Sequence, residues 1–394
     1  MGATALKQLY NKLCFTSVFI GVTEKPLCKA FFRYVTADLG EAKYRAYSAF
    51  VAEIYRRGES LTECVKKDVF EDENVYVKGV ARAFCIEPSI EDSAYRELAV
   101  FSDFASLTTE DFAVDMGVEK SEIPAFTSQK TDMAKLYRAR LKDIGKYGYG
   151  IFSGTCMFRL SDDKQIEPIV SADKISMDKF IGYEEERGKV LENTRAFVEG
   201  KYPANVLLCG DAGTGKSSTV KAVANYFFNE GVRLIELRKD QLAYLPTVMA
   251  KISGNPLKFI IFIDDLSFNK SDDHFSMLKA SLEGSASAKA DNAVIYATSN
   301  RRHIIKESFG DREGDDVHRN DTLQETLSLS ERFGLVVLFS KPDKKLYLEI
   351  VKTLAKKYGV IKDEKQLEIE AEAFALRKGN RSARCAEQFI DSLR

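Results

Sequence analysis

The sequence contains little of what metal centres, disulfide frameworks and membrane segments require. Its 394 residues include only three His and seven Cys, and the Cys are scattered without a CxxC pair. This pattern argues against a zinc site and a disulfide framework, and it is typical of free thiols in a reducing compartment. No apolar run approaches the ~20 residues of a transmembrane helix, and the N-terminal segment lacks a convincing cleavage site. We therefore expect a cytoplasmic protein without membrane segments.

An excess of charge of one sign is also missing. The 58 Lys and Arg nearly cancel the 59 Asp and Glu, which gives a formal net charge of -1. Global charge therefore favours neither nucleic acid nor an anionic membrane as a partner. Residues 130–150 mix basic residues with Tyr, which keeps nucleic-acid binding possible, but a solvated helix face explains this pattern better.

The pattern of apolar residues changes twice along the chain. Residues 1–148 show mainly helical periodicity, and the alternation of Cys156, Phe158 and Leu160 then predicts a short hairpin. From 205 to 340, five wholly apolar strands alternate with helices, which indicates an α/β fold with a parallel sheet. The remainder is helical. The predicted domains are a mainly helical N-terminal domain ending in the hairpin (1–170), an α/β domain (171–340) and a helical domain (341–394).

The stretch VLLCGDAGTGKSST places a glycine-rich turn between an apolar strand and a helix. Gly210, Gly215, Lys216 and Ser217 satisfy the pattern G-x-x-x-x-G-K-[ST] of the phosphate-binding loop (P-loop). Its N–H groups and the helix N-terminus supply partial positive charge, Lys216 would contact the β- and γ-phosphates, and Ser217 would ligate Mg²⁺. The predicted nucleotide-binding residues of the loop are Gly210, Asp211, Ala212, Gly213, Thr214, Gly215, Lys216, Ser217 and Ser218.

Two carboxylates follow the apolar strand KFIIFI. Asp264 lies where a carboxylate beside the P-loop can hold Mg²⁺, and Asp265 is the candidate base that polarises the attacking water. A further strand, VRLIEL, lies between the P-loop and these residues. This inserted strand favours the ATPase branch of P-loop proteins over the GTPase and nucleotide-kinase branch. The predicted cofactors are ATP and Mg²⁺.

The order of these motifs is similar to that of an AAA+ ATPase. Residues from about 168 to 394 resemble a bacterial AAA+ family known only as a domain of unknown function. The resemblance is carried by FIGYEEERGKVLENTRAF, NVLLCGDAGTGKSSTVKA, FIIFIDDLSF, VIYATSNRRHI, LSLSERFG and GNRSARCAEQFIDSL. It implies a P-loop sheet with an inserted strand, followed by a C-terminal helical lid.

The resemblance also implies roles for residues outside the P-loop. Ile181, Gly182 and Tyr183 match the segment beside adenine, although packing at the start of a helix explains them equally well. Asn300 matches the first sensor, a polar group that positions water against the γ-phosphate, with Thr298 as the alternative.

Two arginines complete the implied site. Arg332 in SERFG matches the arginine finger, which stabilises charge on the transferring phosphoryl group. Arg384 in GNRSAR matches the second sensor, with Arg381 as the alternative. With Lys216 and Asp265, these residues and Asn300 form the candidate catalytic set.

An arginine finger acts on the nucleotide of a neighbouring subunit, so we expect a homo-oligomer, either a ring or an open helix. The predicted function is ATP hydrolysis coupled to remodelling or assembly of an unknown macromolecule, which the N-terminal domain would select. Most AAA+ enzymes have Asp-Glu where this chain has Asp264-Asp265, which leaves a slow-turnover switch or loader as an alternative. A P-loop kinase acting on a small molecule is the other alternative. Tyr244 and Leu245 match the position of an aromatic pore loop, but a buried helix face is the preferred interpretation.

Overall fold

The computed structural model describes residues 3–169, 175–266, 290–300 and 332–394, with residues 278 and 282. The chain divides into two compact units, Met1–Gly154 and Thr155–Arg394. In the described residues no helix is long and apolar enough to cross a membrane.

The first unit is helical, as predicted. Its core is rich in aromatic side chains, and Phe112 packs within about 5–6 Å of Tyr34, Tyr47 and Phe50. Buried Glu97 accepts hydrogen bonds from the backbone N–H groups of residues 17–19, which ties the start of the short second helix to the long seventh one. Its helices are α1 (Ala3–Cys14), α2 (Ile20–Thr23), α3 (Pro26–Thr36), α4 (Glu41–Arg57), α5 (Leu61–Glu71), α6 (Val75–Ala81), α7 (Pro88–Ala105), α8 (Thr109–Met116), α9 (Met133–Lys142) and α10 (Ile144–Tyr147).

The second unit is built on a sheet. The described residues form seven strands in the order β2-β1-β4-β5-β6-β3-β7, and all neighbouring pairs are parallel except β1 with β2. The predicted α/β class and inserted strand β4 are confirmed. The strands are β1 (Met157–Leu160), β2 (Ile166–Pro168), β3 (Val206–Gly210), β4 (Val232–Leu237), β5 (Lys258–Ile263), β6 (Ala293–Ser299) and β7 (Leu335–Phe339).

Helices cover the sheet and then form the C-terminal bundle. Val190 and Phe197 of α11 and Val220 and Val223 of α12 pack on one face of the sheet, each burial contributing roughly 1.5–3 kcal/mol. The last three helices share their own apolar core, which Ile181 also contacts. The helices are α11 (Glu184–Val198), α12 (Lys216–Tyr226), α13 (Leu245–Ile252), α14 (Lys344–Lys357), α15 (Glu364–Lys378) and α16 (Ala383–Asp391).

The hairpin lies in a different unit from the one predicted. It does not end the N-terminal domain at residue 170, because β1 pairs in parallel with β4 through Met157, Phe158 and Arg159. The boundary between compact units lies after Gly154, and the hairpin extends the sheet of the second unit. Burial of Met157 and Phe158, which lie on opposite faces of β1, is the physical reason, because the layers packed on the sheet remove both side chains from water.

Candidate nucleotide site

The P-loop leaves β3 at Gly210 and enters α12 at Lys216. Gly210 has φ +136°, and a Cβ there would lie 2.0 Å from the carbonyl oxygen of Phe339 at the end of β7. The Asp211 N–H donates to that same oxygen at 3.2 Å, and the Asp211 carboxylate accepts the N–H of Lys341 at 3.0 Å. The loop is therefore held against the carboxyl end of β7, where ligands bind in open parallel sheets.

We expect Gly210→Ala to destabilise the fold more than Gly215→Ala. Both glycines have positive φ, which costs other residues about 1–3 kcal/mol, but a Cβ at Gly215 meets no atom within 4 Å. The clash at Gly210 should add roughly 1–3 kcal/mol, because a backbone carbonyl has to move. Urea unfolding of the two variants measures this difference. Equal stabilities would contradict the contact between the P-loop and β7.

Lys216 is the buried cation of the loop, only 5% exposed. Its Nζ donates to the carbonyl oxygens of Gly210 (3.0 Å) and Asp211 (2.7 Å) and to Oδ1 of Asn300 (3.1 Å). Burial lowers the pKa of Lys216, although the carboxylate of Asp211 opposes this effect. The ammonium group is therefore buried against three oxygen acceptors, which phosphate oxygens can replace.

The two aspartates after β5 have different partners. Asp264 Oδ1 accepts hydrogen bonds from the hydroxyls of Ser217 (2.6 Å) and Thr298. Asp265 has φ +53° in the left-handed region; its N–H donates to Thr298 Oγ1 at 2.9 Å, and its Oδ1 accepts Asn300 Nδ2 at 2.7 Å. Asp264 is thus fixed beside the P-loop serine, whereas Asp265 is turned toward Asn300.

The two sensor candidates, Thr298 on β6 and Asn300 just after it, make different contacts. Thr298 is buried and holds both aspartates in place, whereas Asn300 is exposed and bridges Lys216 to Asp265. Among these polar groups, Asn300 bonds both the cation and the candidate base. This arrangement fits the predicted role of Asn300 better than that of Thr298.

These groups border one cavity of about 230 Å³. Ser217 and Asp264 offer a hydroxyl and a carboxylate oxygen in direct contact, a donor set that suits Mg²⁺, which takes one or two carboxylates and completes its shell with phosphates and water. The P-loop side of the cavity consists of small residues and hydrogen-bond donors, and such a surface suits a phosphate group. The lining residues are Ala212, Gly213, Gly215, Lys216, Ser217, Ser218, Asp264, Asp265, Thr298, Asn300 and Arg384.

A second cavity of about 210 Å³ shares Gly213, Gly215, Ser218 and Arg384 with the first. Its other walls combine apolar side chains with polar and charged ones, a mixture that can hold the nucleoside end of a nucleotide. They come from the segment before α11, the first turn of α11, the P-loop and the C-terminal helices. Those residues are Lys179, Phe180, Ile181, Tyr183, Arg187, Thr214, Ile350, Leu354, Ala383 and Glu387.

The predicted adenine-side segment divides between the cavity and the core. Ile181 and Tyr183 line the second cavity, and Gly182 is absent from its walls. A Cβ at Gly182 would lie 2.5 Å from Leu346, and the Tyr183 hydroxyl donates to the Ser340 carbonyl at 2.7 Å. This segment therefore lines the cavity and also packs the start of α11, so the adenine-side role stays a prediction beside the packing role.

The two lid arginines are clearly distinguished. Arg384 lies at the start of α16 and lines both cavities, and its N–H is 3.5 Å from the Gly213 carbonyl. The Arg381 guanidinium instead forms a bidentate pair with Glu372, at 3.0 and 2.8 Å. Arg384 is therefore the arginine that can reach a nucleotide, and Arg381 is held within the lid.

Arg332 lies away from both cavities of its own chain. It precedes β7, whose first residue pairs with Asn205 just before β3. Because β3 and β7 are parallel, Arg332 lies at the amino edge of the sheet, the edge at which both strands begin. The five residues of β3 separate this edge from the P-loop by roughly 16 Å. Residues 301–331, which include the segments RRHI and LSLSE, lie outside the described residues.

The weaker sequence signals have structural explanations. Leu245 is buried on α13, and Lys164 lies over the Tyr244 ring at 4.7 Å, so both pore-loop candidates are engaged within the chain. In the 130–150 segment, Arg138 stacks on Tyr95 and Arg140 on Phe70.

Arg187 and Phe180 are cavity residues that sequence reasoning missed. Arg187 follows three consecutive glutamates at the start of α11, where a solvated charge cluster is the ordinary expectation. The only available signal was its position one turn after the adenine-side segment.

The described residues contain no group of three or more His, Cys, Asp or Glu that could hold a metal ion.

No functionally curated protein matches the sequence. Solved structures with similar folds include the Thermotoga maritima RuvB Holliday junction branch migration motor, at 15% identity and TM-score 0.33, covering 55% of this chain and 72% of that one. Another is a chain of the E. coli MS115-1 HORMA:CdnC:Trip13 complex, at 12% identity and TM-score 0.37, covering 57% and 92%.

Residues 154–394 match the family described as "Protein of unknown function (DUF815)", which is more than half of the chain. The matched region begins at the boundary between the two compact units and contains the sheet, both cavities and the C-terminal helices. The strand order places the P-loop strand β3 between β6 and β7, with the inserted β4 beyond β5. The chain thus belongs to the DUF815 family, and its second unit is an AAA+ P-loop ATPase fold.

Proposed function

We propose that this chain binds Mg-ATP and hydrolyses it at an interface between subunits, and that hydrolysis drives remodelling or assembly of a macromolecule. The observation that carries the proposal is the convergence of Lys216, the Ser217–Asp264 pair and the Asp265–Asn300 pair on one cavity. When bound, Mg-ATP supplies the phosphoanhydride bond to be cleaved. Lys216 exchanges its three oxygen acceptors for phosphate oxygens, and Ser217 and Asp264 hold the metal ion.

Asp265 is the group that accepts a proton from water in this proposal. A carboxylate within hydrogen-bond reach of a water molecule contributes typically 10²–10⁴-fold to a rate. Asn300 holds the Asp265 side chain at 2.7 Å, which orients the carboxylate and also occupies one of its oxygens. Arg384, from the lid, adds positive charge at the junction of the two cavities.

Arg332 acts on a second copy of the chain in this proposal. Its place at the amino edge of the sheet, roughly 16 Å from the P-loop, supports a role in trans because it is too far to reach its own cavity. Such a head-to-tail contact is heterologous and generates a ring or an open helix. The helical first unit would then contact the client.

A slow ATP-dependent switch is the second candidate. The Asn300–Asp265 hydrogen bond and the left-handed backbone of Asp265 favour it, because both restrain the short carboxylate that would have to reach water. Slow phosphate release by an assembled wild type would identify this case.

Subunit mixing tests the interface. Asp265→Asn and Arg332→Ala should each release little phosphate alone. Mixed in equal amounts, they should recover activity, because about a quarter of the interfaces then combine an intact Asp265 with an intact Arg332 from the neighbour. Phosphate release by the mixture is the measurement. A mixture as inactive as its components, or an Arg332→Ala protein as active as wild type, would rule out the role in trans.

A further inference from the structure

The second cavity contains a buried cation that the proposed chemistry does not use. Arg187 lies in the first turn of α11 and is only 5% exposed. Its guanidinium lies over the Phe180 ring at 4.8 Å, and the nearest carboxylate oxygen, on the largely exposed Glu184 side chain, is 3.9 Å away. Within the described part of the chain, no group forms a hydrogen bond to the Arg187 side chain.

A guanidinium that is largely removed from water, with only a distant and exposed carboxylate as its counterion, is weakly compensated. Burial lowers the pKa of Arg187, and the carboxylates of Glu184 and Glu186 oppose this effect only in part. Buried charges are normally closely paired or hydrogen-bonded, so this arrangement has a cost in free energy. A ligand that brings an acceptor into the cavity would remove this cost. Arg187 is therefore placed as a recognition group rather than as part of the packing.

The position of Arg187 indicates which part of a nucleotide it meets. Lys216, Ser217, Asp264 and Asp265 line only the first cavity, and Arg187 lines only the second. Between them lie the P-loop residues that both cavities share. Arg187 is thus on the far side of the P-loop from the groups that would hold the γ-phosphate and the metal ion.

We propose that Arg187 donates a hydrogen bond to an acceptor on the nucleobase. The inference rests on the proposed binding of ATP. A guanidinium offers only donors, so it recognises ring nitrogens, carbonyls or hydroxyl oxygens. The apolar side chains of Phe180, Ile181, Ile350 and Leu354 line the same cavity, and they suit a flat base better than a hydroxylated sugar. The ribose oxygens are the other source of the same chemistry.

The test compares ADP with a non-hydrolysable β,γ-imido ATP analogue, each binding to wild type, Arg187→Met and Lys216→Met. Arg187→Met should weaken both ligands by the same factor, roughly 10- to 100-fold, the usual effect of losing a charged hydrogen bond. Lys216→Met should weaken the analogue more than ADP. An unchanged affinity of Arg187→Met, or a loss confined to the analogue, would overturn the assignment. If wild type binds neither ligand, it is the proposed function that fails.

Two deoxy nucleotides distinguish an acceptor on the base from an acceptor on a ribose hydroxyl. The factor lost in Arg187→Met should be the same for 2′-deoxy-ATP and 3′-deoxy-ATP as for ATP if the acceptor is on the base. A factor that disappears with either deoxy nucleotide would overturn the base assignment and place the acceptor on that hydroxyl.

A structural role makes a different prediction for the ligand-free protein. Replacing a weakly compensated buried charge by an apolar side chain is often neutral or stabilising, so the Tm of Arg187→Met should not fall by more than about 2 °C. Arg195→Met is the matched control, because Arg195 lies on the same helix over Phe227 and lines neither cavity. Arg187→Lys is the second variant if Arg187→Met does not fold, and it should still weaken both ligands. Lower Tm with unchanged affinity would assign Arg187 to packing.

Discussion

Asp265→Asn should lower the rate of ATP hydrolysis by about 10²–10⁴-fold while leaving ATP affinity unchanged or slightly tighter. Asparagine keeps the size of the side chain and the hydrogen bond to Asn300, but it cannot accept a proton from water. It also removes one negative charge from a cavity that would hold phosphates, which explains why affinity should not fall.

Asp291→Asn is the control for this variant. Asp291 is an exposed aspartate just before β6, at the opposite edge of the sheet from Asp265, and its replacement should change neither rate nor affinity. Single-turnover phosphate release and equilibrium binding measure the two quantities. An Asp265→Asn protein that hydrolyses ATP as fast as wild type would remove Asp265 from the chemistry.

Lys216→Met should weaken ATP binding by about 10²–10³-fold, the effect of removing one partner of a buried ion pair. The Lys216 ammonium group donates hydrogen bonds to two P-loop carbonyls and to Asn300. In the complex with ATP, phosphate oxygens would accept these hydrogen bonds instead. Lys221→Met is the control, since Lys221 lies on the same helix but pairs with Glu236 at 3.2 Å, away from the cavity. Equal affinities of the Lys216 and Lys221 variants would contradict the assignment.

The lowered pKa of Lys216 gives this prediction a second readout. Burial disfavours the charged form, and bound phosphates would favour it, so the pKa should rise on binding. ATP binding should therefore take up a proton at alkaline pH below the ordinary lysine value of 10.5, and affinity should fall as pH rises through the lowered pKa. Calorimetry in two buffers of different ionisation enthalpy measures the uptake. Lys216→Arg should abolish it, because arginine stays charged.

The parts of the fold that the sequence predicted are those fixed by local patterns. All five apolar strands from β3 to β7 form, and β3 to β6 are buried on both faces. The strand β7, at the edge of the sheet, exposes Val336 and Leu338 on one face. The P-loop glycines need backbone conformations that other residues avoid, which is why the motif alone located the site.

Long-range pairing was harder to predict. Alternation of Cys156, Phe158 and Leu160 identified a strand but not its partner β4, more than 70 residues away in sequence. Arg381 and Arg384 lie three residues apart, and only the folded structure shows that Arg381 pairs with Glu372 whereas Arg384 lines the cavities. Arg187 resembled a surface charge because nothing in its neighbouring sequence shows that Phe180 and the P-loop enclose it.

In the proposed function, Arg332 of one subunit contacts the phosphates of the ATP bound to its neighbour. The most direct test of this claim is the particle mass of Asp265→Asn in solution, without nucleotide and with Mg-ATP, with Arg332→Ala measured alongside. We predict growth from a small species to a large assembly when ATP is added, and a weaker or absent response in Arg332→Ala. A monomer under both conditions, with ATP bound, would contradict the claim and leave a monomeric switch or a small-molecule kinase.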